Sequence, residues 1–451
     1  MASTTLLPNA TWHGLPNELR LAIVDGLKAD DVASLSKVDM TSYQATVPVR
    51  FRKIRLENYE ALERFLENVP RSYFAYIEDL FLCTKSETVF RLPVLPRVRA
   101  DSVIALLSAT RGLVKLELQV QGSLDHSALS PFPFLNNLKS LSISNCGDEC
   151  RTPLSERFVV SMAASARYLE ELSLDRINRS KLHAPELEGT YPCPPLAIND
   201  DNIPDHPILG SELCLPSLLR LPTLRKLTIR ETHLGHEGWS TVPLACRLEV
   251  LDLGSCYHAN DDFNTEWTER IMTAVGTTVD EFSLTSTVSD TVFAKPSVTP
   301  LQRLRKLHIT PHFPVDSVVE TVSNLAGSPV ERISVQCFEE DVVDYCTALE
   351  EFLTVRVERG PQFFDKLKQI DVAVTASEDA PTDEETEERC TAVKRLQDIC
   401  RDLRLASAFD KFDKFVAYNA SKAQAASGPV SYATSFTDSR RFPVKARSMS
   451  I

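Results

Sequence analysis

One short pattern, apolar-x-x-apolar-x-apolar, runs through most of the chain and limits what it can become. It reads "FRKIRL" from Phe51, "IEDLFL" from Ile77, "LVKLEL" from Leu113, "LKSLSI" from Leu138, "LEELSL" from Leu169 and "LRKLTI" from Leu224. It continues as "LEVLDL" from Leu248, "VDEFSL" from Val279, "LRKLHI" from Leu304, "VERISV" from Val330 and "LKQIDV" from Leu367. Five of the ten steps between copies span 24 to 26 residues. The longer steps read as insertions, and the 55 residues from Leu169 to Leu224 have room for a hidden unit. The end of each copy alternates apolar and polar residues, as in a strand with one buried face.

Between these strands lie helical segments. "DSVIALLSATRG" from Asp101 offers an Asp cap and a Gly stop, and "SERFVVSMAASARY", "TEWTERIMTAVG" and "VDSVVETVSNLAG" have the same form. A helix–loop–strand unit cannot bury its own apolar face, so its neighbours must stack on it. A step near 25 falls within the range of leucine-rich repeats. The expected fold is α/β, a solenoid bent into a horseshoe with parallel strands on the concave side and helices on the convex side. The rival is a doubly wound sheet, which uses glycine-rich turns to hold phosphates. Only 14 glycines are present, with no G-x-G-x-x-G and no G-x-x-x-x-G-K-[ST].

The balance of 49 basic against 62 acidic residues, a net charge of −13, argues against a nucleic-acid partner, which would demand cations. No apolar run approaches the ~20 residues of a membrane span. The start lacks the basic and apolar regions of a secretion signal. Eleven cysteines without a Cys-x-x-Cys pair fit a reducing compartment, cytoplasmic or nuclear. Asn9, Asn178 and Asn419 head glycosylation-like triplets that read as chance in such a setting. Cys146 with Cys150, or Cys256 with His258, lacks further ligands at metal-site spacing, so buried cysteines are expected and no metal or cofactor. Neither G-x-S-x-G nor His-Glu-x-x-His occurs, and no enzyme is expected.

Before the first repeat stands "LPNELRLAIVDGL", from Leu15 to Leu27. Pro16 suits a helix start, and Leu19, Ile23 and Leu27 recur on one face. Asp30 and Asp31 suit the start of a second helix that carries Val32, Leu35 and Val38. Asp39 suits that of a third, with Met40, Tyr43 and Val47, ended by Pro48. Three short helices are marginal alone and need a neighbour. This region resembles the F-box, whose pattern is matched by Leu15, Pro16, Glu18, Leu19, Ile23, Leu27, Asp30, Asp31, Leu35, Val38 and Tyr43. With the repeats behind it, the chain looks like the F-box and leucine-rich-repeat proteins of fungi.

The resemblance implies a substrate receptor in a cullin–RING ubiquitin ligase, non-catalytic, that works by proximity. Its F-box would dock on a Skp-type adaptor, and through it on cullin, with Leu15, Pro16, Leu19, Ile23, Leu27, Leu35 and Val38. The repeats would hold an unknown protein substrate on the concave face. Outward strand residues there are Lys115, Glu117, Ser142, Glu171, Asp175, Lys226, Thr228, Arg230, Asp252, Glu281, Lys306, His308 and Arg332. Lys226, Arg230, Lys306 and Arg332 are suited to substrate phosphate. The third helix departs from the family, with Tyr43 and "VRF" where a tryptophan-bearing end is usual. That departure supports an alternative, a repeat scaffold with a degenerate F-box as its cap.

The domain reading is a flexible terminus over 1–12, F-box-like helices over 13–50 and the solenoid over 51–376. A proline-rich insertion over 178–223 projects over the concave face or is disordered. An acidic linker and helical cap fill 377–424, and a disordered tail 425–451.

Overall fold

The computed structural model describes residues 11–86, 96–254, 259–289, 301–375 and 383–410. The expected terminal segments, the start of the acidic linker, and Cys256 and His258 lie largely or wholly outside them.

Eleven copies of the pattern become eleven strands. They are β1 (Lys53–Leu56), β2 (Asp79–Cys83), β3 (Lys115–Val120), β4 (Ser140–Asn145) and β5 (Glu171–Asp175). After a small pair, β6 (Arg179–Ser180) and β7 (Leu196–Ala197), come β8 (Lys226–Arg230), β9 (Val250–Leu253) and β10 (Glu281–Leu284). Then follow β11 (Lys306–Ile309), β12 (Arg332–Phe338) and β13 (Gln369–Thr375). A further strand, β14 (Ala406–Asp410), completes a 12-stranded sheet in which β6 and β7 take no part. Every neighbouring pair is parallel and sequential, from β1 beside β2 to β13 beside β14. This is a long solenoid-like array, built on a three-helix N-terminal unit.

The register stacks the apolar positions in columns. Ile54, Leu80, Leu116, Leu141, Leu172, Leu227 and Leu251 are partners in turn, and Phe282, Leu307, Ile333 and Ile370 continue the line. All but the partly buried Ile54 lie in the core, packed with apolar residues from the helices and 3-10 turns that connect the strands. Full burial of one such side chain contributes roughly 1.5–3 kcal/mol. The other sheet face stays open.

The connecting helices differ in detail from expectation. The helix containing Asp101 begins at Pro96 (α5, Pro96–Leu107), so Asp101 sits inside it. The segment from Ser155 forms α6 (Glu156–Ser165), with the Ser155 hydroxyl accepting from the Arg157 amide. The helix around Trp267 starts a turn early, capped by Asn260. Where strand turns into loop, Asn145 is fully buried and satisfies three backbone groups. Its Oδ1 accepts from the amides of Gly122 (3.2 Å) and Gly147 (2.9 Å), and its Nδ2 donates to the Thr152 carbonyl (2.9 Å). Gly122 adopts φ +72°, and a Cβ there would lie 3.0 Å from Thr152, so only glycine suits the turn.

The insertion, expected to project over the concave face or to be disordered, is held by its own buried side chains, and its last part joins the helix side. β5 pairs directly with β8, so no hidden unit occupies the long step. Residues 215–220 form a 3-10 turn that packs on α6 and on the short helix 238–241, continuing the helix-side layer. A buried polar clamp holds it. Glu156, wholly buried, accepts from Arg179 (3.0 Å) and from the Ser180 amide (3.0 Å). Asp200 accepts from the hydroxyls of Ser155 and Ser180, and Arg157 donates to the carbonyls of Asp200, Ile203 and Ser211. Asn178, head of a glycosylation-like triplet, is itself buried, accepting from the Leu154 amide.

Asn145→Leu keeps the volume and takes the partner from three backbone groups, the Gly122 amide buried and those of Gly147 and Thr152 part-buried. The expected cost is about 1–3 kcal/mol in urea denaturation, and a loss under about 0.5 kcal/mol would contradict the role given to this side chain.

Candidate functional site

Two surfaces remain once the core is accounted for. The first is on the N-terminal helices α1 (Asn17–Asp25), α2 (Ala29–Leu35) and α3 (Met40–Arg50). Pro16 directly precedes α1, and Asp39 caps α3 by accepting from the Ser42 amide at 2.8 Å. Lys28, with no side-chain bond, holds the cap position of α2, and Asp30 and Asp31 fall in its first turn. Pro48 does not end α3, which runs on to Arg50. A proline in the last turn costs little, because few intrahelical bonds remain to be lost there.

Val24, Val32 and Ala45 form the inner core of these helices, with Trp12, Leu27, Leu35 and Val49 packed against it. Leu27 lies past the end of α1, beyond Gly26, and turns inward with Leu35. Outward stand Leu19 (52% exposed), Ile23 (46%), Val38 (69%) and Met40 (70%), with Pro16 exposed and Leu15 partly so. The seven residues expected on this face therefore divide. Four point out, two pack inward and Leu15 is intermediate. Met40 was absent from the sequence-based set, although its place just after the Asp39 cap was a usable signal. The unit is fastened to the sheet by an Arg52–Asp25 ion pair at 2.5 Å and by Phe51 against Tyr73, ring centroids 5.0 Å apart. Arg52 also accepts, at its carbonyl, from the amides of Glu78 and Asp79.

The second surface is the open sheet face. Strand register gathers all thirteen residues expected there into three rows. Lys115, Glu171, Lys226, Glu281, Lys306 and Arg332 share the first. Glu117, Ser142, Thr228, Asp252 and His308 share the second, and Asp175 sits beside Arg230 in the third. Thr228 is buried, against expectation, and the others are half-buried or exposed.

The charges on this face pair with one another. Arg230 donates to Asp252 at 2.7 Å. Lys306 and His308 both meet Glu281, at 3.0 and 2.9 Å. Arg332 donates to Gln369 at 2.7 Å and lies 3.5 Å from Asp371. The hydrogen bond from His308, with help from Lys306, holds the Glu281 carboxyl down at about 2. A groove of about 260 Å³ runs between Arg230, Asp252, Glu281, His308 and Gln336.

Asp371 and Gln369 join this face without being among the thirteen expected residues, as does Arg55, whose guanidinium sits 4.1 Å over the Phe81 ring. Their strands were legible, and the same alternation would have found them. Cys146 meets not Cys150, which is exposed, but the Cys83 thiol, whose pKa that hydrogen bond lowers. Among the described residues, no three His, Cys, Asp or Glu side chains are grouped to hold a metal ion, and no helix is long and apolar enough to cross a membrane.

No protein-family model matches this chain, and a search of curated proteins finds no match. The architecture is consistent with a protein-interaction scaffold.

The depressed Glu281 value fixes the sign of a pH effect. A carboxylate stabilised in the folded state adds stability above its ordinary value of ~4.3, and this is lost as pH falls toward 2. In carbon-13 carboxyl titrations Glu281 is expected near 2, and His308→Ala should move it upward toward about 4. An unmoved value would contradict the pairing.

Proposed function

We propose that this chain is a substrate receptor of an SCF-type cullin–RING ubiquitin ligase. The N-terminal helices are an F-box that docks on a Skp-type adaptor, and the repeats hold a protein substrate. The receptor performs no chemistry, and its contribution is to bring substrate and conjugating enzyme together.

One observation carries the reading. Leu19, Ile23, Val38 and Met40 are exposed on a unit whose inner packing is already complete. A mere cap needs only the inner side, which Phe51, Arg52 and Asp25 join to the sheet. An outward apolar face adds nothing to capping and is what a partner helix would cover. The alternative, a scaffold capped by a degenerate F-box, draws support from that firm junction.

Substrate recognition on the open face favours mixed charge and hydroxyl chemistry over phosphate. Arg230, Lys306 and Arg332 each have an acidic partner on the same face, whereas Lys226 has none among the described residues.

Leu19→Asp with Ile23→Ser tests the proposal. The double variant is expected to lose co-purification with a Skp-type adaptor while its melting temperature stays within about 2 °C of the parent, as for surface substitutions. No adaptor binding by the folded parent, or a large fall in stability with binding intact, would favour the scaffold.

A further inference from the structure

The loops after β3 and β4 and the insertion segment after β7 line a half-open cavity of about 500 Å³ whose residues belong to neither surface described above. Its wall includes Arg99 from α5, which is only 7% exposed. Three arginines are buried among the described residues, and they are treated differently. Arg179 is neutralised by Glu156, and Arg157 is surrounded by carbonyl oxygens and the His183 ring. Arg99 has no hydrogen bond or ion pair to any described residue, and its buried Nε has no partner.

A buried guanidinium nitrogen without a protein acceptor is costly, and it leaves the Arg99 fork free to meet a group held in the cavity. The cavity's own carboxylates do not fill the role. Asp200 is engaged by the Ser155 and Ser180 hydroxyls. Asp125 accepts from the Ser127 amide, and its carboxyl is held below the usual range by Ser127. A second guanidinium, Arg151, stands at the exposed mouth, 3.5 Å from Asp148. The remaining wall is rich in neutral hydrogen-bonding groups, among them Gln121, Asn199 and Asn202.

We propose that this cavity binds a small polar metabolite through an oxyanion, a phosphate monoester or a carboxylate. Arg99 grips the oxyanion with its planar fork, and Arg151 closes on it from the mouth. Gln121, Asn199 and Asn202 face the uncharged part of the ligand. The insertion thereby acquires a task, since residues 197–203 form the wall that the repeats alone would lack.

The test is calorimetric titration of the full chain with inorganic phosphate and, separately, with succinate, in chloride buffer of matched ionic strength. Saturable one-to-one binding of either anion, with a dissociation constant of about 5 mM or tighter, is expected. Phosphate alone would indicate a phosphate ester, and succinate alone a carboxylate. Arg99→Met should weaken binding at least about tenfold and Arg151→Gln about threefold. In chloride alone Arg99→Met should melt no lower than the parent, since it removes a buried side chain whose Nε has no acceptor. Absence of saturable binding by the folded parent up to about 20 mM would overturn the proposal. So would unchanged affinity in Arg99→Met or, if that variant does not fold, in Arg151→Gln.

Discussion

In a parallel sheet, a strand's amides and carbonyls stay unpaired until the next strand arrives beside them. In this chain each arrival also closes the apolar column of the previous unit. Leu116 is covered by Leu141, Leu141 by Leu172, and Leu172 by Leu227 across the whole insertion. No unit is complete without its neighbours, so stability belongs to the stack. Everything else in the structure is arranged around that dependence. The helices and turns cover one face, the buried Asn145 ties off a turn where strand becomes loop, and the clamp of Glu156 with Arg179 lets a long insertion pass without interrupting the column.

A stack has ends, and the two ends here are handled differently. At the N-terminal end stand three short helices with an inner core of only Val24, Val32 and Ala45, too small to persist alone. They persist because Phe51, Arg52 and the first units hold them. At the other end the column Ile333, Ile370 meets Ser407 on β14, and the apolar line stops. A helix over Asp383–Asp402 precedes that strand and packs against the helix over Val342–Arg359.

The same alternation that built the strands made them legible. Each of the eleven copies needed an apolar residue at every column position, so each was visible as a pattern. β14 was not, because Ser407 occupies the column and Ala406 and Ala408 flank it. Its helix is visible in the sequence, and the strand beyond it falls inside the segment expected to be a cap. Alternation also told which side chains would share the open face, since parity within a strand decides that. It could not tell that Arg230 would meet Asp252, or Lys306 meet Glu281, because cross-strand neighbours depend on register. The insertion was least legible. Its proline content hid a clamp whose partners lie 20 to 59 residues apart in sequence. On the N-terminal helices, periodicity put Leu19, Ile23 and Leu27 on one face, but the helix stops at Asp25 and Leu27 turns in.

The central claim is that the exposed apolar side of the N-terminal helices is a docking face, separate from the open face of the sheet. Hydrogen exchange of the full chain, with and without a Skp-type adaptor, addresses both halves of it together. Docking on that side gives slowed exchange confined to residues 15–42, around Leu19, Ile23, Val38 and Met40, with β3 to β12 unchanged. Slowing on the sheet strands, or no change anywhere in the presence of excess adaptor, would contradict it.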